Sequence, residues 1–381
     1  MLFRSHSGWA KLDKGHGPKR SEETGRAYSG ILDIKSRIVY RALVTSLTIV
    51  LFLAVIILAG ESEGATITVD DDEGGGDYQT IQAAIDNATE GDTVRVFEGL
   101  YNEDVKIKKS VNLLGNISNR PIIVSTGSLD VISLLGDHTT IDGFEIVGGV
   151  KGQRGTKYGI SFLSMFTRIS NNTIRNCTYG IFYQFTNYNV IENNTIFNNS
   201  GTGIVINAIS KFNVIQNNSL HTNENGITIG GAEFTEIVAN ICVNNSRTGI
   251  DCAGISNVVM ANNCSKNAEG IVIAGTYTAQ DNECGGNKWT GMVVHDPQEN
   301  QVLGNSLSSN GVGIRYSARE NNSYASLREN NSFSENVNDD IRFFKSHDDT
   351  FELIDGELCL TYLALIFGVV IILLWLWMRF G

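Results

Sequence analysis

Residues 203–229 read GIVINAISKFNVIQNNSLHTNENGITI, one full period of a repeat with the start of the next. Ile204-Val-Ile206 and Ile227-Thr-Ile229 place apolar residues at alternate positions directly after Gly203 and Gly226. Such alternation marks a short strand with one buried face. Working outward, the Gly-apolar pair recurs at Gly159-Ile160, Gly180-Ile181, Gly249-Ile250, Gly270-Ile271, Gly291-Met292 and Gly313-Ile314, in steps of 21 to 23 residues. A second landmark, an Asn two residues before an apolar residue, keeps the same phase. It runs Asn172/Ile174, Asn194/Ile196, Asn218/Leu220, Asn240/Cys242, Asn262/Cys264, Asn282/Cys284, Asn305/Leu307 and Asn331/Phe333. A leucine-rich repeat has a similar period, but it needs Leu at fixed offsets and helical segments. Here the apolar positions are Ile, Val, Phe and Cys in short alternating pieces, and Asn, Gly and Ser fill the corners, where left-handed backbone is required. Three short strands and three corners per period predict an all-β chain, a parallel β-helix of roughly ten coils. No coil can bury its inner face alone, so coils stack. Stacked at about 4.8 Å each, they would form a rod about 50 Å long.

The flanks differ from the repeat. Residues 42–59 contain only Thr and Ser as polar side chains, and residues 358–378 carry no charge. Each is long enough to cross a hydrocarbon core of about 30 Å as a helix. The expected organisation is a basic tail (1–41), a transmembrane helix (42–59), an extracellular β-helix domain (60–357), a second transmembrane helix (358–378) and a short cytoplasmic end (379–381). Residues 1–60 have a net charge of +5, whereas the whole chain is −12. Lys35, Arg37 and Arg41 beside the first apolar segment belong in the cytoplasm by the positive-inside rule. The alternative for that segment is a cleaved signal peptide with a basic stretch of about forty residues, longer than such signals usually carry. The central stretch is strongly acidic and repels phosphate backbones, so nucleic acid is not an expected partner. The expected partners are the membrane and a polysaccharide or surface glycan, and the oligomeric state is left open. Eleven Asn-x-Ser/Thr sequons, Asn87 the first and Asn330 the last, fall in the central stretch, as in a surface glycoprotein.

Several segments resemble a known family. Asp77-Tyr-Gln-Thr-Ile-Gln-Ala-Ala-Ile85, Gly91-Asp-Thr-Val-Arg-Val96, Gly99-Leu-Tyr-Asn-Glu103 and Val111-Asn-Leu-Leu-Gly115 resemble the N-terminal cap and first coils of pectate-lyase-like right-handed β-helices. The Asn-x-Ile and Gly-Ile repeats resemble the NosD-type and carbohydrate-binding, sugar-hydrolase β-helix proteins. The resemblance implies a right-handed solenoid with a cap helix after Asp77 that lays Ile81, Ala84, Ile85 and Ala88 over the open end. It also implies three functional classes: polysaccharide lyases and glycoside hydrolases, accessory factors of copper-enzyme maturation, and surface proteins without catalysis.

A glycosidase needs two converging carboxylates. Among the outward positions that follow each Gly-Ile pair, only Asp251 and Arg315 are charged, and three rungs separate them by about 14 Å. His295 with Asp296 is the other candidate acid/base pair, and it reads first as solvated corner residues. Carbohydrate contact needs flat rings more than charge. Tyr158, Phe182, Phe185 and Tyr188 crowd into the first regular coils and are candidate sugar-stacking residues, against a role in the core or a subunit contact. No cofactor is expected. Asp70-Asp-Asp-Glu73 could cradle Ca²⁺, but it reads first as a solvated linker leaving the membrane. Cys242, Cys264 and Cys284 replace Ile and Leu on one inward ladder, with Cys252 on a neighbouring strand. Buried thiol, disulfide and metal ligand are their readings in that order. The reading that unites these features is a membrane-anchored surface β-helix that binds carbohydrate or serves as a scaffold without catalysis.

Overall fold

The computed structural model describes residues 64–127, 130–149, 157–207, 209–295, 300–318 and 324–345. The chain divides into two units, Met1–Ser62 and Glu63–Gly381, and the described residues all fall in the second. Both apolar segments, 42–59 and 358–378, lie outside the described residues, as does Asp296. Among the described residues no helix is long and apolar enough to cross a membrane.

The repeat folds as a parallel solenoid of about 11 turns. Three ladders of short strands run its length. The first contains the Gly-Ile strands and passes from Val105–Ile107 through Tyr158–Phe162, Tyr179–Gln184 and Ile204–Asn207 to Asp339–Lys345. The second begins at Thr66–Val69 and ends at Gln301–Leu303. The third carries the Asn-x-Ile strands, from Leu100–Asn102 to Ser332–Ser334. The stack therefore starts earlier than the regular repeat implies, at Thr66.

The Gly-Ile landmark has a steric cause. A Cβ on Gly226 would lie 2.4 Å from the Gly249 carbonyl oxygen, and one on Gly249 would lie 2.6 Å from that of Gly270. Each glycine thus lets the carbonyl of the next rung approach. The following isoleucine turns inward, and Ile160, Ile181, Ile204, Ile227, Ile250 and Ile271 are fully buried. The third ladder buries Ile174, Ile196, Leu220, Cys242, Cys264, Cys284 and Leu307 in one file.

The Asn ladder expected from Asn172 to Asn331 forms, and every amide in its interior is satisfied. Asn218 donates from its backbone N and its Nδ2 to Asn240 Oδ1, both at 3.0 Å, and from Nδ2 to the Ile191 carbonyl at 2.9 Å. Its own Oδ1 accepts the same pair from Asn194. A second ladder, Asn199–Asn223–Asn245–Asn267–Asn287–Asn310–Asn336, repeats the device at the next corner. The inward amide follows a residue in left-handed backbone, such as Asn217 before Asn218 and Asn244 before Asn245. Asn adopts that conformation more readily than most residues.

The N-terminal opening is closed as the resemblance implies. A helix, α1 (Ile81–Asn87), buries Ile81, Ala84 and Ile85, with Ala88 beneath its end. Thr80 caps it by accepting from Ala83 N, and Glu103 receives the backbone N–H groups of Ile81 and Gln82 at 2.8 and 2.9 Å. These contacts satisfy donors that a helix start leaves free. The acidic run is not a linker here. Asp70–Glu73 joins the first strand to the cap, and Asp71 accepts from Leu100 N at 2.9 Å. The linker reading fails because the strand Thr66–Val69 already belongs to the solenoid and pairs with Thr93–Val96.

Candidate functional site

The outward face of the first ladder gathers the aromatic and charged side chains that the sequence singles out. One row of this face runs Ser161, Phe182, Val205, Thr228, Asp251, Val272, Val293 and Arg315, in the order of the strand register. A parallel row, one position before each glycine, includes Tyr158 and Tyr179 side by side, and Thr248, Glu269 and Thr290 further along.

At the N-terminal end of the face, Tyr158, Tyr179 and Phe182 form a cluster. Ring centroids are 4.6 Å apart for Tyr158–Phe182 and 5.7 Å for Tyr158–Tyr179. Lys157 Nζ sits 4.9 Å from the Tyr158 ring. Asp130 is the neighbour of Tyr158 on the rung before. Burial pushes its carboxyl up, while a hydrogen bond from Ser161 and the charge of Lys157 pull it back.

Three rungs further along the same row lies Asp251, about 14 Å from Phe182 at the strand spacing. Burial raises its carboxyl to about 6; Arg247 opposes the rise and Glu269 adds to it. The Thr228 hydroxyl, on the adjacent rung, is buried and has no hydrogen-bond partner among the described residues. Arg315 does not reach Asp251. It folds back to Glu269, with Nη2 2.8 Å from Oε1. Glu269, like Asp130 beside Tyr158, is a charged residue of this face that alternation after the Gly-Ile pairs does not mark. It sits immediately before Gly270, outside the row that follows the Gly-Ile pairs. Asp251 can exchange a proton near neutral pH beside a carboxylate that a guanidinium already holds.

Asp251 also predicts a pH effect. Its folded pKa lies above the ordinary carboxylate value, so its contribution to stability is fully present below about pH 4 and is lost as pH rises through about 6. Asp251→Asn is expected to remove this dependence and to raise stability at pH 7.5 by about 2 kcal/mol. Urea unfolding at pH 4.5 and 7.5, compared between variant and parent, measures it.

The other candidates sit apart. His295 pairs with Ser317 on the next rung, Nδ1 to Oγ at 2.8 Å, two rungs beyond Asp251 and in a different outward row. Phe185 and Tyr188 leave the sheet face and stand at the corner between the first and second ladders. There Phe166, Tyr188, Phe212 and Phe234 stack one ring per turn, at 5.1, 5.3 and 5.2 Å, with His138 against Phe166 at 4.7 Å. Both faces of the Tyr188 ring are therefore covered. The predicted aromatic set divides into a sheet cluster (Tyr158, Phe182) and a corner set (Phe185, Tyr188). The sheet cluster includes a further ring, Tyr179.

Among the described residues no three His, Cys, Asp or Glu side chains are grouped so as to hold a metal ion. Cys177, Cys242, Cys252, Cys264 and Cys284 are buried and free. Burial pushes the thiols of Cys177 and Cys252 up to about 12 and raises those of Cys264 and Cys284 as well. They act as small apolar core residues.

Comparison with known proteins now bears on this geometry. The family described as right-handed β-helix region matches residues 123–264. The solenoid is a right-handed parallel β-helix. No curated protein matches the sequence. Solved structures do match this β-helix. The polygalacturonase from Erwinia carotovora ssp. carotovora superposes with a TM-score of 0.53 at 12% identity, over 77% of this chain and 98% of the other. The A-module of Azotobacter vinelandii mannuronan C-5 epimerase AlgE4 superposes with a TM-score of 0.51 at 15% identity, over 70% of this chain and 92% of the other. At these identities the likeness establishes the fold.

Proposed function

We propose that this β-helix is a membrane-anchored cell-surface protein that binds a polysaccharide along the outward face of its first ladder without cleaving it. The observation that carries the reading is the single row in which Phe182 and Asp251 lie three rungs apart, with Tyr158 and Tyr179 flanking the first. Rings stack on the apolar faces of sugars, and a carboxyl on the same face receives and donates hydrogen bonds to sugar hydroxyls. The solved structures of this shape that bear the names of a mannuronan epimerase and a polygalacturonase add support for a polysaccharide partner.

Binding of a panel of neutral and acidic polysaccharides to the full chain tests this. Phe182→Ala and Tyr158→Ala are each expected to weaken binding by about 0.5–1.5 kcal/mol. Phe185→Ala, at the corner, should leave it unchanged. Equal loss in all three variants, or no loss in the first two, would contradict the placement.

The second reading is catalytic, and Asp251 favours it: its carboxyl, raised to about 6, is suited to donate a proton beside Glu269. Turnover of any glycan that vanishes in Asp251→Asn would replace the binding reading with this one. The anchored part rests on the two apolar segments, 42–59 and 358–378, and on the basic flank before the first. Protease added to intact cells should remove the middle of the chain and spare tags at both termini.

A further inference from the structure

The corners on either side of the third ladder hold a regularity that the fold does not require. Each turn there places one residue in left-handed backbone just before an inward-facing residue. Six of these residues are asparagines, Asn171, Asn176, Asn193, Asn198, Asn217 and Asn244, with φ of 55–63°. They are the asparagines with positive φ among the described residues. Every one is followed two positions on by a hydroxyl: Thr173, Thr178, Thr195, Ser200, Ser219 and Ser246. Nine equivalent corners carry another residue type. After Thr222, Ala239, Ala261 and Lys266, for example, the residues two positions on are Glu224, Ile241, Asn263 and Ala268. Of the nine, only Gly304, followed by Ser306, has a hydroxyl there.

Backbone preference explains the asparagines, which enter the left-handed region more readily than most residues. It does not explain the hydroxyls. Thr173, Thr195 and Ser219 open strands of the third ladder, yet Ile241 and Glu283 open others. Nor does a hydrogen bond tie each hydroxyl to its asparagine. The side-chain bonds of the corner amides go elsewhere, Asn171 Nδ2 to Asp142 and Asn198 Nδ2 to Asn176 Oδ1, both at 2.6 Å. The fold therefore asks for Asn alone, while Asn and hydroxyl occur together. The residue between them is Asn or Cys at all six corners, never Pro. An amide and a hydroxyl paired at this spacing are the acceptor signature of N-linked glycosylation.

We infer that Asn193, Asn217 and Asn244, whose side chains are exposed, carry N-linked oligosaccharides. This goes beyond the number of sequons, which Asn-rich corners raise by themselves, and rests on the surface reading only for access to the transferase. In the transfer, the asparagine Nδ2 bonds to the anomeric carbon of a lipid-phosphate-linked oligosaccharide supplied by the cell. The bond from that carbon to the phosphate oxygen breaks, the lipid phosphate leaves with the electron pair, and the amide releases one proton. Asn193 and Asn217 stand one turn apart, about 4.8 Å, where the third ladder begins, and Asn244 stands where it ends. Oligosaccharides at these positions border the third ladder on both sides and leave the outward face of the first ladder open to a polymer.

Peptide mass spectrometry of the full chain and two variants, all made in its native cells, tests this. Peptides that hold Asn193, Asn217 and Asn244 are expected to carry a saccharide mass on the asparagine. Thr195→Ala keeps the asparagine but should abolish the modification at Asn193 and leave that at Asn217 unchanged. Thr195→Ser should retain both. Unmodified asparagine at all three positions, with external protease still removing the middle of the chain, would overturn the inference and leave the surface reading standing. Unmodified asparagine with the middle protected from protease would remove both. A saccharide on Thr195 itself, or a modified Asn193 that survives Thr195→Ala, would also overturn the inference, because attachment would then ignore the pair.

Discussion

Replacing Asn240 with alanine is expected to destabilise the solenoid by about 4 kcal/mol, more than any single apolar truncation on the outer faces. Asn240 Oδ1 accepts from the backbone N and the Nδ2 of Asn218, both at 3.0 Å. Its Nδ2 donates to the Ile215 carbonyl at 2.9 Å and to Asn262 Oδ1 at 3.0 Å. Alanine strands two buried donors of Asn218 and the Ile215 carbonyl together. Each buried group left unsatisfied costs about 1–3 kcal/mol, and Asn218 and Asn240 are both buried. Asp in place of Asn240 would keep the acceptor and lose both donors, so it should fare little better. Urea unfolding of the full chain in detergent, followed by far-ultraviolet circular dichroism, measures the effect. Ser246→Ala, exposed at the neighbouring corner and without left-handed backbone, serves as the reference and should change stability by less than about 1 kcal/mol. A loss below about 1 kcal/mol for Asn240→Ala would mean that the ladder is decorative.

Gly226→Ala should be the next most damaging change, at about 3 kcal/mol. The new methyl would lie 2.4 Å from the Gly249 carbonyl oxygen and 3.0 Å from Cys242 Cβ. Backbone on the next rung cannot yield as a side-chain end can, so the rungs must separate at this point. A solenoid is held by contacts between adjacent turns, so a local separation divides it into two halves that unfold apart. The expected result is an unfolding curve with two transitions where the parent has one. A single transition at the parent midpoint would show that the rungs tolerate the methyl and that the Gly-Ile landmark has another cause.

These two residues also show what made the fold legible. Gly226 and Asn240 are repeated because each must meet its own kind one rung away, and repetition is visible in a single sequence. The second Asn ladder, Asn199 to Asn336, escaped notice because exposed corner asparagines such as Asn198 and Asn244 stand beside its members and blur the phase. The corner stack was also hidden. Phe166, Tyr188, Phe212 and Phe234 have φ of 55°, 60°, 56° and 50°, a conformation that bulky residues rarely adopt. Residue preference gives no hint of rings there. Stacking against the next turn offsets the local cost, and that gain exists only in the assembled solenoid.

The candidate site was legible only in part, for a related reason. Alternation after Gly-Ile gives the row that holds Phe182, Asp251 and Arg315. It does not give the row before the glycine, which holds Tyr179 and Glu269. Nor does spacing along a ladder foresee that a long side chain bends back. Arg315 crosses two rungs to Glu269, so among the described residues it is not the cation that acts on Asp251. A sequence gives Cα separations on a regular lattice, and the ends of arginine and glutamate side chains are not bound to that lattice.

Hydrogen exchange of the full chain with and without a bound polysaccharide tests the central claim most directly. Any glycan that binds is expected to slow exchange in Tyr179–Gln184, Ile204–Asn207, Ile227–Glu233 and the first half of Thr248–Met260, the strands that form the outward face from Phe182 to Asp251. Strands of the third ladder, such as Thr195–Phe197 and Ser219–His221, should exchange at unchanged rates. Protection confined to the third ladder or to the corner of Phe185 and Tyr188 would contradict the account.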